Sequence, residues 1–193
     1  MSKYLGNLTV TQANAQSFPA VTEIFGHLTI AEGAALVAPK LAMVRGWVTL
    51  MPGATLTAPM LGLIDGWLTL KAGARLNAVH LTEVRCDFTA AAGSEFPAEA
   101  LRIAGSINLQ RDADYGFPSL SEVRESISLA AAGDNPEGAS PPGTAMSAPL
   151  LERVGKSITL RERAWLALPA LNHIGGYVDV DETAQLVAPR FTS

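Results

Sequence analysis

A segment of about 20 residues recurs along the chain, and this repeat restricts the possible folds more than any other feature. The stretches GHLTIAEGAALVAP, GWVTLMPGATLTAP and GWLTLKAGARLNAV begin at Gly26, Gly46 and Gly66. Aligned copies share an apolar anchor at the start of an LTL-like segment, and the nine anchors are Leu8, Leu28, Val48, Leu68, Phe88, Ile107, Ile127, Ile158 and Val178. Such regular apolar columns predict a solenoid, in which each coil covers the apolar face of the next.

The LTL segments have the pattern of short β-strands. Apolar and polar residues alternate in them, and many of the residues are β-branched. Equivalent strands of successive coils are expected to pair in parallel, about 4.8 Å apart. We therefore predict a mainly β protein, a right-handed parallel β-solenoid of about nine coils that forms one domain over residues 1–193.

The remaining positions of the repeat predict corners. Gly33, Gly53 and Gly73 recur five residues after their anchors, where a turn favours positive φ. The prolines that follow predict an irregular segment or a brief helical turn, so that only one or two sides of each coil would be regular strand. The stretch AAAGDNPEGASPPGTAMSAP, residues 130–149, is interpreted as an inserted loop, which either leaves the core unchanged or contacts a partner.

The repeat also resembles a known class of proteins. The run L-x-x-V-x-G-x-V-x-L, formed by Leu41, Val44, Gly46, Val48 and Leu50, is similar to leucine-rich-repeat solenoids, especially the short coils of receptor L domains. It is also similar to bacterial and phage proteins with AP-x-L-x-x-V-G-G repeats. The resemblance implies a recognition scaffold that binds other proteins without catalysis, such as an inhibitor or adaptor encoded by a phage or mobile element.

The composition of the chain argues against several classes of protein. The net charge is -4 and the chain has no run of Lys or Arg, which argues against nucleic-acid binding. Cys86 is the single cysteine, which excludes an internal disulfide and a cysteine-based metal site. The sequence has no secretory signal and no apolar run long enough to span a membrane, so we expect a cytoplasmic protein with no membrane partner.

One predicted outward surface carries large aromatic side chains. If the anchors point inward, the residues on either side of them point outward. The predicted partner-binding surface consists of His27, Trp47, Trp67, Thr49, Thr69, Met51 and Lys71. Stacked exposed tryptophans are typical of protein interfaces, whether with another protein or with a second copy of the chain.

The two ends of the solenoid are a second possible contact surface. Each end has an unpaired strand edge, and the sequence shows no separate cap there. Asn14 and Gln16 in the first coil, and Asp181 and Glu182 in the last, are the polar residues expected to protect these edges. We predict a homodimer that forms through an end or through the tryptophan surface.

The alternative function is carbohydrate binding or glycoside hydrolysis. The tryptophans would stack on a sugar, with His27, Lys71 and Asp87 as the nearby polar groups. Asp179 and Asp181 have a spacing compatible with a glycosidase pair, although charge that keeps a terminal coil soluble explains them as well. No catalytic motif is present, so we predict no enzyme activity, no cofactor and no metal site.

Overall fold

The computed structural model describes residues 2–11, 17–110, 112–130 and 143–191, and it shows a parallel β-solenoid. Short strands lie on three sides of the coils, which we call faces 1, 2 and 3 in the order of the LTL strand, the strand after the glycine corner, and the strand after the proline turn. Nine strands stack on face 1 and are joined by eight turns of the chain. The predicted solenoid fold and its parallel pairing are therefore confirmed.

Face 1 consists of the LTL segments, paired in the predicted register. Threonines of neighbouring coils are direct partners, for example Thr49 with Thr29 and with Thr69. Its strands are Leu8–Val10, Leu28–Ile30, Val48–Leu50, Leu68–Leu70, Glu83–Ala90, Ile103–Gln110, Ile127–Ala130, Ile158–Leu160 and Val178–Val180. The fifth and sixth of these are longer because they continue from face 3 around the corner onto face 1.

Face 2 is divided into two separate sheets. Three strands form the first sheet, Ala35–Val37, Thr55–Thr57 and Arg75–Asn77. Four strands form the second, Asp114–Gly116, Ala145–Ser147, Trp165–Ala167 and Gln185–Val187. The coil between the two sheets has a single bridge to the first, from Arg75 to Glu95, and continues into the 3-10 helix Ala98–Ala100.

Face 3 follows the proline turns and corrects one expectation. Its strands are Ser2–Tyr4, Val21–Ile24, Met43–Val44, Leu63–Ile64, the first parts of Glu83–Ala90 and Ile103–Gln110, Glu122–Val123, Arg153–Val154 and His173–Ile174. The prediction of one or two regular sides was wrong, since a coil has up to three. Several strands of face 3 have only two residues, too few for a period-two pattern to identify.

The corners follow the predicted chemistry. Gly33, Gly53 and Gly73 have φ values of 63°, 66° and 65°, which lie in the left-handed region that glycine adopts at no steric cost. The alanines that follow, such as Ala54 and Ala74, are fully buried inside the bend. The small residue therefore lets the chain turn directly over the core.

The predicted insertion overlaps a regular coil. Residues 131–142 lie outside the described part of the chain. Ala145–Ser147 is a strand that pairs with Asp114–Gly116, and Met146 within it is buried. The segment after residue 142 thus belongs to the core, and the apolar columns continue across the insertion as expected.

Four aromatic rings fill the core where face 2 is interrupted. Phe88 packs against Phe96, Tyr115 and Phe117 with ring centroids 5.7, 5.7 and 5.9 Å away. Phe117 occupies the column in which Ala58, Ala78 and Ala98 stand, so it places a ring where the three preceding coils place a methyl group. This added volume coincides with the break between the two sheets of face 2.

The two ends of the solenoid differ in burial. In the first coil, the inward residue Val10 is 1% exposed. In the coil of Val178–Val180, the equivalent residues Val178 and Val180 are 38% and 37% exposed. Asn14 and Gln16, the residues expected to protect the first end, lie outside the described residues.

Within the described part of the chain, no helix is long and apolar enough to span a membrane.

Candidate functional site

A stack of three rings runs across the coils at the start of face 1. The rings of His27 and Trp47 are parallel, with centroids 3.2 Å apart and an interplanar angle of 3°. Trp47 and Trp67 follow, with centroids 5.3 Å apart and an angle of 26°. The column predicted from the 20-residue period therefore brings His27, Trp47 and Trp67 together on the surface.

The stack is fixed by hydrogen bonds to the backbone. The N–H of His27 donates to Asn7 Oδ1 at 2.9 Å, and the N–H of Trp47 donates to His27 Nδ1 at 3.3 Å. Each side chain thus satisfies the backbone of the next coil, which restricts its rotamer. Asn7 was not among the predicted site residues, although its place in the same column is the signal that identifies it.

Trp67 is the exposed end of this stack. Its side chain is 48% exposed, whereas Trp47 is partly covered by the rings on either side. The face of Trp67 that points toward the fifth coil has no ring partner among the described residues. Trp67 is therefore the more exposed of the two tryptophans in the stack.

A shallow groove of about 360 Å³ lies beside Trp67. Its lining consists of Trp47, Thr49, Trp67, Thr69, Asp87 and Thr89. Asp87 takes the place in the outward column that follows Trp67, and it has no ion pair among the described residues. The groove therefore combines an aromatic wall, threonine hydroxyls and one carboxylate.

The structure places the remaining predicted residues at different distances from this groove. Thr49 and Thr69 belong to its lining, whereas Met51 and Lys71 follow the ends of the strands and are exposed outside it. His27 supports the stack at its far end. Thr89 was not among the predicted site residues, although it follows Thr69 in the column of threonines.

The carboxylates considered for hydrolysis are engaged in the last coil. Arg161 donates a hydrogen bond to Asp179, which lowers the pKa of Asp179. The N–H of Thr183 donates to Asp181 Oδ1 at 3.0 Å and lowers the pKa of Asp181. A general acid needs a raised pKa, so both shifts run opposite to that requirement.

Other reactive side chains are dispersed. Within the described residues, no group of three His, Cys, Asp or Glu side chains is arranged to hold a metal ion. Cys86 is partly buried, with Sγ 3.6 Å from the carbonyl oxygen of Asp65. His80 contacts the carbonyl oxygen of Pro59 at 2.7 Å, and His173 lies in an exposed two-residue strand.

The arrangement on face 1 therefore presents several kinds of contact group side by side. It offers a pre-ordered aromatic stack, one carboxylate and a row of hydroxyl groups on a rigid sheet. Comparison of the chain with protein-family models, with curated proteins and with solved structures gave no match.

Proposed function

We propose that the chain is a non-enzymatic protein-binding module that uses the aromatic groove on face 1. The observation that carries this proposal is the half-exposed Trp67, packed on Trp47 and lying next to Asp87 in one groove. Exposed apolar surface rimmed by polar groups is typical of interaction sites, and a tryptophan at the centre of an interface can contribute about 2 kcal/mol or more.

The groove favours a partner that presents a cationic side chain. An Arg side chain could stack on the free face of Trp67 and pair with the carboxylate of Asp87 at the same time. The hydroxyl groups of Thr69 and Thr89 would then accept or donate hydrogen bonds around it. Arg suits this position better than Lys because its planar guanidinium stacks on aromatic faces.

The scaffold supports this role through its rigidity. The rings are ordered before binding by stacking and by the hydrogen bond to His27 Nδ1, so little side-chain entropy would be lost on contact. An adaptor or inhibitor of the leucine-rich-repeat type, encoded by a phage and acting in the cytoplasm, would use the solenoid in this way. The resemblance of the repeat to leucine-rich-repeat solenoids and to phage proteins is what supports this role.

Binding through this groove is tested by affinity capture with Trp67→Ala beside the wild-type chain. Trp165→Ala is the matched control, because Trp165 is also exposed, at 41%, but lies on face 2. We expect a partner retained by the wild type and by Trp165→Ala to be lost with Trp67→Ala. Equal retention by all three proteins would show that the groove is not the binding site.

The carboxylate is tested separately with Asp87→Asn. This variant keeps the shape of the groove and removes its charge, so we expect the captured partner to bind more weakly and with less dependence on salt concentration. The affinity is measured by titration calorimetry at two salt concentrations. An unchanged salt dependence would remove the cationic anchor from the proposal and leave the aromatic contact alone.

Carbohydrate binding is the second candidate, and the threonines and carboxylate around the rings are the observation that favours it. A Trp165→Phe variant would contain only Trp47 and Trp67 as fluorophores of this type. Titration of this variant with a panel of oligosaccharides should leave its emission unchanged if the partner is a protein. A saturable change would favour the sugar, and product formation abolished by Asp179→Asn would favour hydrolysis.

A further inference from the structure

Face 2 contains a gap between the fifth and sixth coils that is unrelated to the aromatic groove. Asp114–Gly116 is the edge strand of the four-stranded sheet, although a coil precedes it in the stack. Elsewhere on this face neighbouring coils pair directly, as Thr55–Thr57 does with Ala35–Val37 and with Arg75–Asn77. The solenoid therefore has an unpaired strand edge in its interior as well as at its ends.

The hydrogen bonds show which backbone groups are left over. Ala113 O accepts a hydrogen bond from the N–H of Ala145, and the N–H of Phe117 donates to Ser147 O. The carbonyl group of Ala113 and the N–H of Phe117 therefore point to the following coil. The intervening groups, the N–H and C=O of Asp114 and of Gly116, point to the preceding coil. Within the described residues they have no backbone partner there.

The fifth coil forms the opposite wall of the gap, and one of its carbonyl groups bonds a side chain instead of a neighbouring strand. In a regular ladder Ser94 O would face the N–H of Asp114, but it accepts the hydroxyl group of Tyr115 instead, at 2.9 Å. The backbone of Phe96 likewise makes no ladder bond to the sixth coil. Pro97 ends the extended segment, since it has no N–H, and the chain turns into Ala98–Ala100.

The gap opens to the surface as a cleft. Its volume is about 860 Å³, and its lining includes Arg75, Ser94, Glu95, Glu99, Asp114 and Gly116. Asp114 and Gly116 are both exposed, and a Cβ atom built on Gly116 would have only Ser147 Oγ within 4 Å, at 3.6 Å. The edge of the strand is therefore accessible.

The charges around the cleft are unbalanced. Arg75 pairs with Glu95 at 3.3 Å, whereas Glu99 and Asp114 are exposed and have no ion pair among the described residues. The cleft therefore has an excess of two negative charges. An extended segment with basic side chains complements both this charge and the unpaired backbone groups.

We propose that this cleft binds a basic, extended peptide segment of a partner protein, which adds to face 2 as a β-strand. The peptide would accept from the N–H groups of Asp114 and Gly116 and donate to their carbonyl groups, as in other cases of strand addition. Its basic side chains would lie against Glu99 and Asp114. This site is separate from the aromatic groove, so either proposal can fail without the other.

The probe is the blocked hexapeptide acetyl-(Val-Lys)₃-amide, titrated to millimolar concentration into the ¹⁵N-labelled full chain. We expect saturable shifts in the amide signals of Asp114 and Gly116 and slower hydrogen exchange at both. The acidic peptide acetyl-(Val-Glu)₃-amide and a Val-Lys peptide N-methylated at every residue should produce neither effect. The proposal would be overturned if the basic peptide did not slow hydrogen exchange at Asp114 and Gly116, or if the acidic peptide slowed it equally.

Two variants distinguish strand addition from a general attraction to acidic surface. Gly116→Pro removes one donor of the edge, at a position where an edge strand tolerates proline, and should weaken binding at least tenfold. Asp114→Asn should weaken it about two- to fivefold, as expected for a single exposed charge. Trp67→Ala should bind as the wild type does. Normal binding by folded Gly116→Pro, checked in the same spectra, would contradict strand addition.

Discussion

The ring of His27 lies flat on Trp47 while its Nδ1 accepts the backbone N–H of Trp47. One side chain therefore performs two tasks, covering an aromatic ring and pairing with a backbone group of the next coil. Because Nδ1 is the acceptor, the neutral ring carries its proton on Nε2. Asn7 Oδ1 performs the second task alone for the N–H of His27.

Replacing His27 should separate these two contributions. We expect His27→Ala to lower the free energy of unfolding by about 1–2 kcal/mol, because it loses the stack and leaves the N–H of Trp47 without its acceptor. His27→Asn should cost less, since Asn can accept this hydrogen bond as Asn7 does. Urea denaturation measures both values. Equal stability of the two variants would show that the hydrogen bond contributes nothing measurable.

Three glycine-to-alanine substitutions should rank in order of their backbone surroundings. At Gly66 a new Cβ would lie 2.8 Å from the backbone of Gly46, so we expect a loss of about 2–3 kcal/mol or failure to fold. Gly53 has open space but a φ of 66°, and its substitution should cost about 1–2 kcal/mol. Gly62→Ala, whose nearest neighbour is 3.7 Å away, should be neutral or slightly stabilising. Denaturation midpoints give the order, and a large loss at Gly62 would contradict it.

The sequence predicted the regular part of the fold because the repeat records it directly. A period of 20 residues places Thr29, Thr49 and Thr69 in one column, and the structure pairs them in that register. The gap in face 2 could not be predicted in the same way. It arises where Phe117 replaces a small residue and Pro97 ends a strand, and the effect of added core volume depends on how neighbouring coils accommodate it.

The candidate site was predicted in part for the same reason. Alternation along the strand assigned Trp47 and Trp67 to the surface, and the period placed them side by side. The supporting contact of Asn7 depends on side-chain rotamers at the corner, which no periodic pattern specifies. Met51 and Lys71 were placed correctly outside the core, but the groove curves toward Asp87 instead of following the strand to its end.

Tyr115 provides a test of how the interrupted part of the core is held. Its hydroxyl group bonds Ser94 O at 2.9 Å and Ser94 Oγ at 2.8 Å, and burial raises the pKa of Tyr115. We expect Tyr115→Phe to lower the free energy of unfolding by about 1 kcal/mol, because Ser94 O would lose its donor. Tyr177→Phe is the matched control on an exposed ring and should leave stability unchanged. Equal effects of the two substitutions would assign no role to the buried hydroxyl group.

The carboxylates of the last coil should make stability depend on acidity. Hydrogen bonding from Arg161 lowers the pKa of Asp179, so the ionised form favours the folded state. This stabilisation is present above the ordinary carboxyl pKa and is lost as the pH falls below about 4 toward the lower pKa of the folded state. We expect Asp179→Asn to melt below the wild type at pH 6, with a difference that narrows at pH 3. A constant difference in Tm between these pH values would contradict the linkage.

We propose that the exposed valines of the Val178–Val180 coil mediate association of two copies of this chain. Val178 and Val180 occupy inward positions yet are exposed, and among the described residues no strand pairs with the outer edges of Val178–Val180 and Gln185–Val187. Covering this apolar end removes valine surface from water, and a second copy presents the same surface. We expect light scattering to show a molar mass that rises with concentration toward a dimer.

The double variant Val178→Lys/Val180→Lys should remain monomeric, because it places two like charges on each side of such a contact. The control is Val37→Lys/Val79→Lys, which changes two exposed valines away from the last coil and should associate as the wild type does. Trp67→Ala separates the end from the aromatic groove. Loss of association in Trp67→Ala alone would place the contact on face 1. A wild type that stays monomeric at every concentration would contradict a dimer through either surface.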